Sequence, residues 1–276
     1  LGTVYDRTAI LDRNIDITQS ASFTDHDCTW IFPSTYHWDF SGKADLFELE
    51  DAVIVYTDGA KGHSSQPKAE TIRLINVQYR IEGNTSRTDF FGGQSGFEFS
   101  NVQIISYGSG LNYLHLNTEG GLMEDVAVRV GAGALAFQPS SSNNNTLTLR
   151  NWTLDPSLGL IQGNGGANNL TAVTRLENLV WERTEWHIGT GTRGQHYKVI
   201  NPIKPTGWQS YKGSTDTTKC RCDEYHTHNV RIVDEDNNAL SGFAVHLRRS
   251  DGTVVYELTT DSNGDIAEQE DRKSNV

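Results

Sequence analysis

The chain is short of methionine, cysteine and proline, with 1, 3 and 6 of them in 276 residues. Three cysteines, an odd number, do not make a disulfide scaffold. No apolar run nears the roughly 18 residues of a membrane span, which argues against membrane insertion. Positive charge is also in deficit: Lys and Arg number 23 against 35 Asp and Glu, a net charge of −12. Such a surface repels phosphate backbones, so nucleic acid is not an expected partner. What is plentiful is Gly (26) and Asn (20). Turn formers in that number, with few helix formers, point to an all-β chain with many tight corners. The sequence opens on Leu1 and its single methionine is Met123. A processed product, or part of a longer protein, is expected.

A repeat organises the middle of the chain. The pattern is apolar, any, apolar, any, Asn/Asp, apolar, any, apolar. Its central residue falls at Asp51, Asn76, Asn101, Asp125, Asn151 and Asn178, at spacings of 25, 25, 24, 26 and 27. Two positions earlier stand Leu49, Leu74, Phe99, Met123, Leu149 and Leu176; one position later stand Ala52, Val77, Val102, Val126, Trp152 and Leu179. Alternation on each side reads as β-strand. The apolar column changes parity at the Asn/Asp, so a bend there lets both strand pieces turn their apolar side chains inward. About 25 residues with two or three short strands describe one coil of a parallel β-helix. One coil cannot bury its inner face alone, whereas stacked coils share a core. The six Asn/Asp side chains are then expected to stack as a structural ladder, each amide donating to the next, with Asp51 and Asp125 breaking the run of amides but still accepting.

The expected organisation is an N-terminal β-rich cap or solenoid entrance over 1–45, a parallel β-helix of about six coils over 46–205, a linker over 206–228, and a small β-sandwich over 229–276. The last segment resembles the carboxypeptidase-regulatory-like and transthyretin-like sandwich families through Val230–Asp234, Ala239–Val245 and Thr259–Ile266. It is shorter than a full sandwich, so further C-terminal residues are expected. The coils resemble the pectin-lyase-like superfamily of right-handed parallel β-helices. A β-helix joined to a small sandwich is similar to what bacteriophage tail and virion surface proteins carry.

For chemistry, the acids matter first. Three positions before the turn stand Glu48, Arg73 and Glu98; one position before it stand Glu124, Arg150 and Glu177. Down the stack these alternate in sign at about 5 Å spacing, which predicts ion-pair ladders rather than the paired carboxylates of a glycosidase. No catalytic residue is therefore assigned. An aromatic-rich stretch, Trp30, Phe32, Tyr36, Trp38 and Phe40, is read as core and cap, with a carbohydrate platform as the functional alternative. Asp25-His26-Asp27-Cys28 is the densest polar group near it. The sharpest metal candidate is Cys220, Cys222, His226 and His228. A turn at Asp223-Glu224 would bring the pairs together as a Cys2His2 site for zinc. Alternatively His226-Thr227-His228 from three chains resembles metal-binding segments of trimeric phage spikes, with zinc or iron as the ion.

The function expected from these readings is a bacteriophage structural protein, a tail, fibre or capsid-surface component located in a virion or extracellularly. Its partners would be copies of itself as a trimer, other virion proteins and a host-surface glycan. The alternatives are a polysaccharide-degrading enzyme and a non-catalytic carbohydrate-binding adhesin.

Overall fold

The computed structural model describes residues 7–10, 15–17, 22–33, 38–40, 44–57, 69–82, 88–92, 96–107, 113–118, 120–130, 135–141, 146–161, 173–189, 195–212 and 220–272. Among them there is no helix; the chain is all-β. It divides into two compact units, Leu1–Cys222 and Asp223–Val276.

The first unit is a parallel β-solenoid of about five turns. Every turn passes one corner through a residue in the left-handed region, with φ between 50° and 56° at Asp51, Asn76, Asn101, Asp125, Asn151 and Asn178. Asn and Asp tolerate this conformation better than other residues with a Cβ, because their short polar side chains bond locally. The left-handed residue resets the pleat, so the residue two before it and the residue one after it both face the core. Leu49, Leu74, Met123, Leu149, Trp152, Leu179 and Trp181 are accordingly fully buried. The corner series extends beyond the six sequence repeats, to Asp27 (φ 50°) and Asn201 (φ 47°). Parallel pairing also starts early, with Arg7–Ile10 against Ser22–Phe32 and that strand against Ala44–Tyr56.

Three faces result. The strands before the corner form the first face and those after it the second. The second runs without interruption from Arg7–Ile10 to Val180–Trp181. The third face stacks Thr88–Gly92, Tyr113–Thr118, Leu135–Ser141 and Leu158–Ile161, with register shifts at Leu116/Asn117 and Leu135/Ala136. Part of the expected 206–228 linker belongs to the solenoid. Ser210–Lys212 pairs in parallel with Glu185–His187, because Tyr211 alternates inward against Trp186 at 5.8 Å between ring centroids. The three fully buried indoles keep their polar edge satisfied. The Trp152 Nε1 donates to Met123 O at 3.1 Å, Trp181 Nε1 to Asp155 O at 3.2 Å, and Trp186 Nε1 to Trp181 O at 3.0 Å.

The second unit is built from antiparallel pairs. Ala244–Arg248 pairs with Val254–Thr259, and Tyr225–His228 with Gln269–Arg272. Asp234 and Asp261 cap turns. Asp234 Oδ1 accepts from the amides of Asp236 and Asn238 at 2.9 and 2.8 Å, and Asp261 Oδ1 from those of Asn263 and Asp265 at 2.8 and 3.0 Å. Gly264 at φ 77° leaves no room for a side chain, since a Cβ would stand 2.4 Å from Ile232 O.

Candidate functional site

The Asn/Asp column forms hydrogen bonds across the coils, but in two runs. Asn76 Nδ2 donates to Asp51 Oδ1 at 2.9 Å, and Asn101 Nδ2 to Asn76 Oδ1 at 3.1 Å. In the second run Asn151 Nδ2 donates to Asp125 Oδ1 and Asn178 Nδ2 to Asn151 Oδ1, both at 3.0 Å. A carboxylate accepts but carries no N–H. Asp125 therefore has nothing to offer Asn101 Oδ1, and the ladder breaks there, at the aspartate expected to interrupt it.

The charged columns break at the same level. Arg73 reaches Glu48 through Nη1 and Glu98 through Nε, each at 2.5 Å. Arg150 reaches Glu124 at 3.0 Å and Glu177 at 2.7 Å. Hydrogen bonds to Glu98 and Glu48 raise the Arg73 pKa, and a bond to Glu177 raises that of Arg150. Burial pushes the Glu177 carboxyl up, but hydrogen bonds from Arg150 and Arg175 outweigh it and hold the group below its ordinary value. The outer acids of each triad are sheltered, with 14% of the Glu48 side chain and 12% of Glu177 exposed, against 55% of Glu98 and 37% of Glu124 beside the break.

The backbone of the first face is interrupted too. Gly96–Ser100 pairs with Ala69–Ile75, and Gly121–Glu124 with Thr146–Arg150, yet these two halves share no ladder. The cause lies in Gly120-Gly121, at φ 114° and 108°, far from the extended strand values near −120°. Gly121 also stands where Phe47, Ile72 and Leu147 fill the core in other coils. With no side chain opposite it, Phe97 stays half-buried, and Phe99 keeps 8% exposure where Leu74 and Met123 have none.

Two grooves open at this seam. One of about 320 Å³ is lined by the half-buried Phe97 and Leu122 and the edge of buried Phe99, beside Arg73, Glu98 and Glu124. The other, of about 380 Å³, lies over the corner and is lined by Asn101, Gln103, Asp125, Ala127, Asn151 and Thr153. Ser100 belongs to both, so they adjoin around the corner. Ala127, paired between Gln103 and Thr153, is small enough to leave the dip. Sequence reasoning missed this site. Three signals pointed to it: the shortest of the five spacings (24), the Gly-Gly pair entering that coil, and an Asp instead of Asn at 125.

The other candidates are placed differently. Cys220–His228 forms one continuous strand, so the turn at Asp223-Glu224 that a Cys2His2 site requires is not formed. The alternation runs unbroken through those residues, which a single strand satisfies as well as two. From Cys222 to His228 the strand covers roughly 20 Å, too far for common ligation within one chain. The His226 Nε2 lies 3.0 Å from the buried Glu224 carboxylate. Among the described residues no three His, Cys, Asp or Glu side chains converge as a metal site. The Cys220 side chain lies outside the described residues.

In the N-terminal polar group, Asp25 accepts from Arg7 at 2.5 Å, from Trp30 Nε1 at 3.0 Å and from the His26 amide at 3.1 Å. Burial, with a hydrogen bond to Asp25, pushes the Cys28 thiol up to about 12. That thiol is protonated at neutral pH and a poor nucleophile. Phe32 is core, and Trp30 is partly buried and tied to Asp25, so neither offers a platform. Tyr36 and the side chains of Trp38 and Phe40 lie outside the described residues.

Compared with family models, curated proteins and solved structures, the chain matches none.

Proposed function

We propose that the chain is a non-catalytic surface scaffold, a structural component of a bacteriophage virion that attaches to host glycans at the seam of its solenoid. The observation that carries the attachment is the groove itself. It sets the partly exposed apolar residues Phe97 and Leu122 beside hydroxyl, amide and carboxylate groups. Sugars present apolar C–H faces and hydroxyls together, and such mixed sites suit them. The virion assignment rests on the likeness of a β-helix followed by a short antiparallel module to phage surface proteins; the hairpin of Ala244–Arg248 with Val254–Thr259 supports the sandwich reading.

Assembly with copies of itself is supported by the second face. Outside the groove, the positions two residues past the corner are Thr29, Val53 and Gln78 on one side and Val180 and Ile203 on the other, and none carries charge. On a chain of net charge −12, such a stripe is where a second acidic copy approaches with least repulsion. Any zinc or iron at His226 and His228 belongs to the same reading, since its remaining ligands would have to come from other copies.

An enzymatic reading has one observation in its favour: Glu98, Glu124 and Arg73 line a single groove. Against it, both carboxylates already bond an arginine, whereas glycoside hydrolysis needs one carboxyl holding a proton. The test is incubation with bacterial surface polysaccharides, followed by pull-down and product sizing. Retention without shortening supports attachment, shortened chains establish a depolymerase, and no retention overturns both glycan readings.

A further inference from the structure

We infer that the solenoid core holds a buried water site at Ser106, in the coil that borders the seam, where water joins the Ser106 hydroxyl to that of Tyr79 in the coil before it. The site is independent of the glycan and assembly readings.

The stacking register leads there. Val102, Ile104 and Ser106 are the inward residues of the strand Val102–Ser106. Ser106 pairs with Ile81 on one side and Val130 on the other. Beyond Ile81 the same column continues to Tyr56 and Phe32. A small polar residue thus stands in a column of large side chains, and less side chain fills the core at its level. Ser106 is 3% exposed. Its Oγ has no hydrogen-bond partner among the described residues. A hydroxyl withdrawn from bulk water without a partner is costly, and native cores rarely leave one so.

A second hydroxyl lies close by. Tyr79 points inward from the strand Gln78–Ile81, two residues before Ile81. It is therefore diagonal to Ser106, a separation that an aromatic side chain spans. Tyr79 is 2% exposed and its Oη is buried. Burial, and then the nearby Tyr56, push its pKa well above the ordinary tyrosine value. Tyr56, Tyr79 and Ser106 thus set three buried hydroxyl groups around Ile81. Water suits that chemistry, because it both donates and accepts, and a buried water typically makes about three hydrogen bonds to polar groups of the fold. An ion does not suit it. The inward neighbours Ile54, Ile81, Ile104 and Val128 are apolar and offer no countercharge. Without the hydroxyls, a space lined by such residues would stay dry.

The experiment is a crystal structure of the full native chain in which core waters are resolved, with thermal melts of the native chain and Ser106→Val. An ordered water is expected within about 3.2 Å of both Ser106 Oγ and Tyr79 Oη. Ser106→Val copies the side chain of Val130, expels that water and forfeits its hydrogen bonds. Its thermal midpoint is expected to fall by about 2–4 °C. A dry hydroxyl predicts the opposite sign, since valine would fill the space and remove an unsatisfied group. A raised midpoint in Ser106→Val therefore overturns the water site. So does a resolved native core with no water at Ser106, a result that holds whether or not the variant folds. A water that bonds Ser106 but not Tyr79 overturns the bridge between the two coils.

Discussion

The solenoid contains two blocks, each with three successive corners, that solve the same problem with the same residues. The first carries Asp51-Asn76-Asn101 at its corner and Glu48-Arg73-Glu98 on its first face. The second carries Asp125-Asn151-Asn178 and Glu124-Arg150-Glu177. Each opens on an aspartate that only accepts, and each holds its arginine between two glutamates. Between the blocks the corner ladder, the ion pairs and the first-face backbone all lapse together, while the second and third faces run on. A repeat protein is stabilised coil by coil through its neighbours. The difference teaches that one weak interface, on one face, is enough to turn a uniform stack into two cooperative pieces joined along a groove.

The blocks differ most in their cores, and that gives the strongest way to separate them. Trp152 is fully buried in the second block, one position past the corner, where the first block has Val77. Trp152→Ala is expected to cost about 3–5 kcal/mol. In native-state hydrogen exchange, the strands Thr146–Arg150 and Val173–Glu177 should lose protection while Ala69–Ile75 keeps it. Equal loss in both blocks would show that the seam does not divide the fold.

The corner residues should behave alike in the two blocks. Asn76→Ala and Asn151→Ala each remove a left-handed residue's local stabilisation and the middle of a ladder, at a cost of about 1–2 kcal/mol. Glycine at either site should recover part of that loss, because it accepts a positive φ freely. Urea midpoints of the four variants check both statements.

The ion triads come next. Glu177 has its folded-state pKa lowered, so the unfolded chain takes up its proton first. Its contribution, about 1 kcal/mol for a mostly sheltered group, is present at neutral pH. It is lost as pH falls below the ordinary value of 4.5 through the lower folded one. Glu177→Gln should flatten that acid limb in pH-dependent melting curves. The smallest effect belongs to Glu98→Gln at the seam, where 55% of the side chain is exposed. Its stability should stay within about 0.5 kcal/mol of the parent. A larger loss would mean that the seam is tighter than its geometry implies.

Much of this architecture was legible in the residues. The parity change from Leu74 to Val77 across Asn76 requires a bend, and a left-handed Asn is the physical means. Asp27 escaped notice because Asp25, two positions before it, is polar and satisfied by Arg7 and Trp30 rather than facing the core as Leu49 does. The seam escaped because its cause is an absence. Gly120-Gly121 reads in sequence as another polar corner, and only the stacked coils show that Gly121 occupies a core position. The break in the amide run at Asp125 was legible, but not that the backbone and the ion pairs lapse at the same level. At Cys220–His228 the pattern fitted one strand and two equally, and nothing local decided between them.

The corner has a further consequence, for where the chain tolerates novelty. Along the first two faces the offset between neighbouring coils equals the corner-to-corner spacing, as in Glu48–Arg73–Glu98 and in Ile54–Tyr79–Ile104. On the third face the offsets drift and bulges take up the slack. Each corner thus acts as a fixed origin from which its coil is measured, and length variation accumulates on the far side. Loops grafted beside the third face would leave the seam and the uncharged stripe in register, so the molecule could be diversified there without being re-aligned.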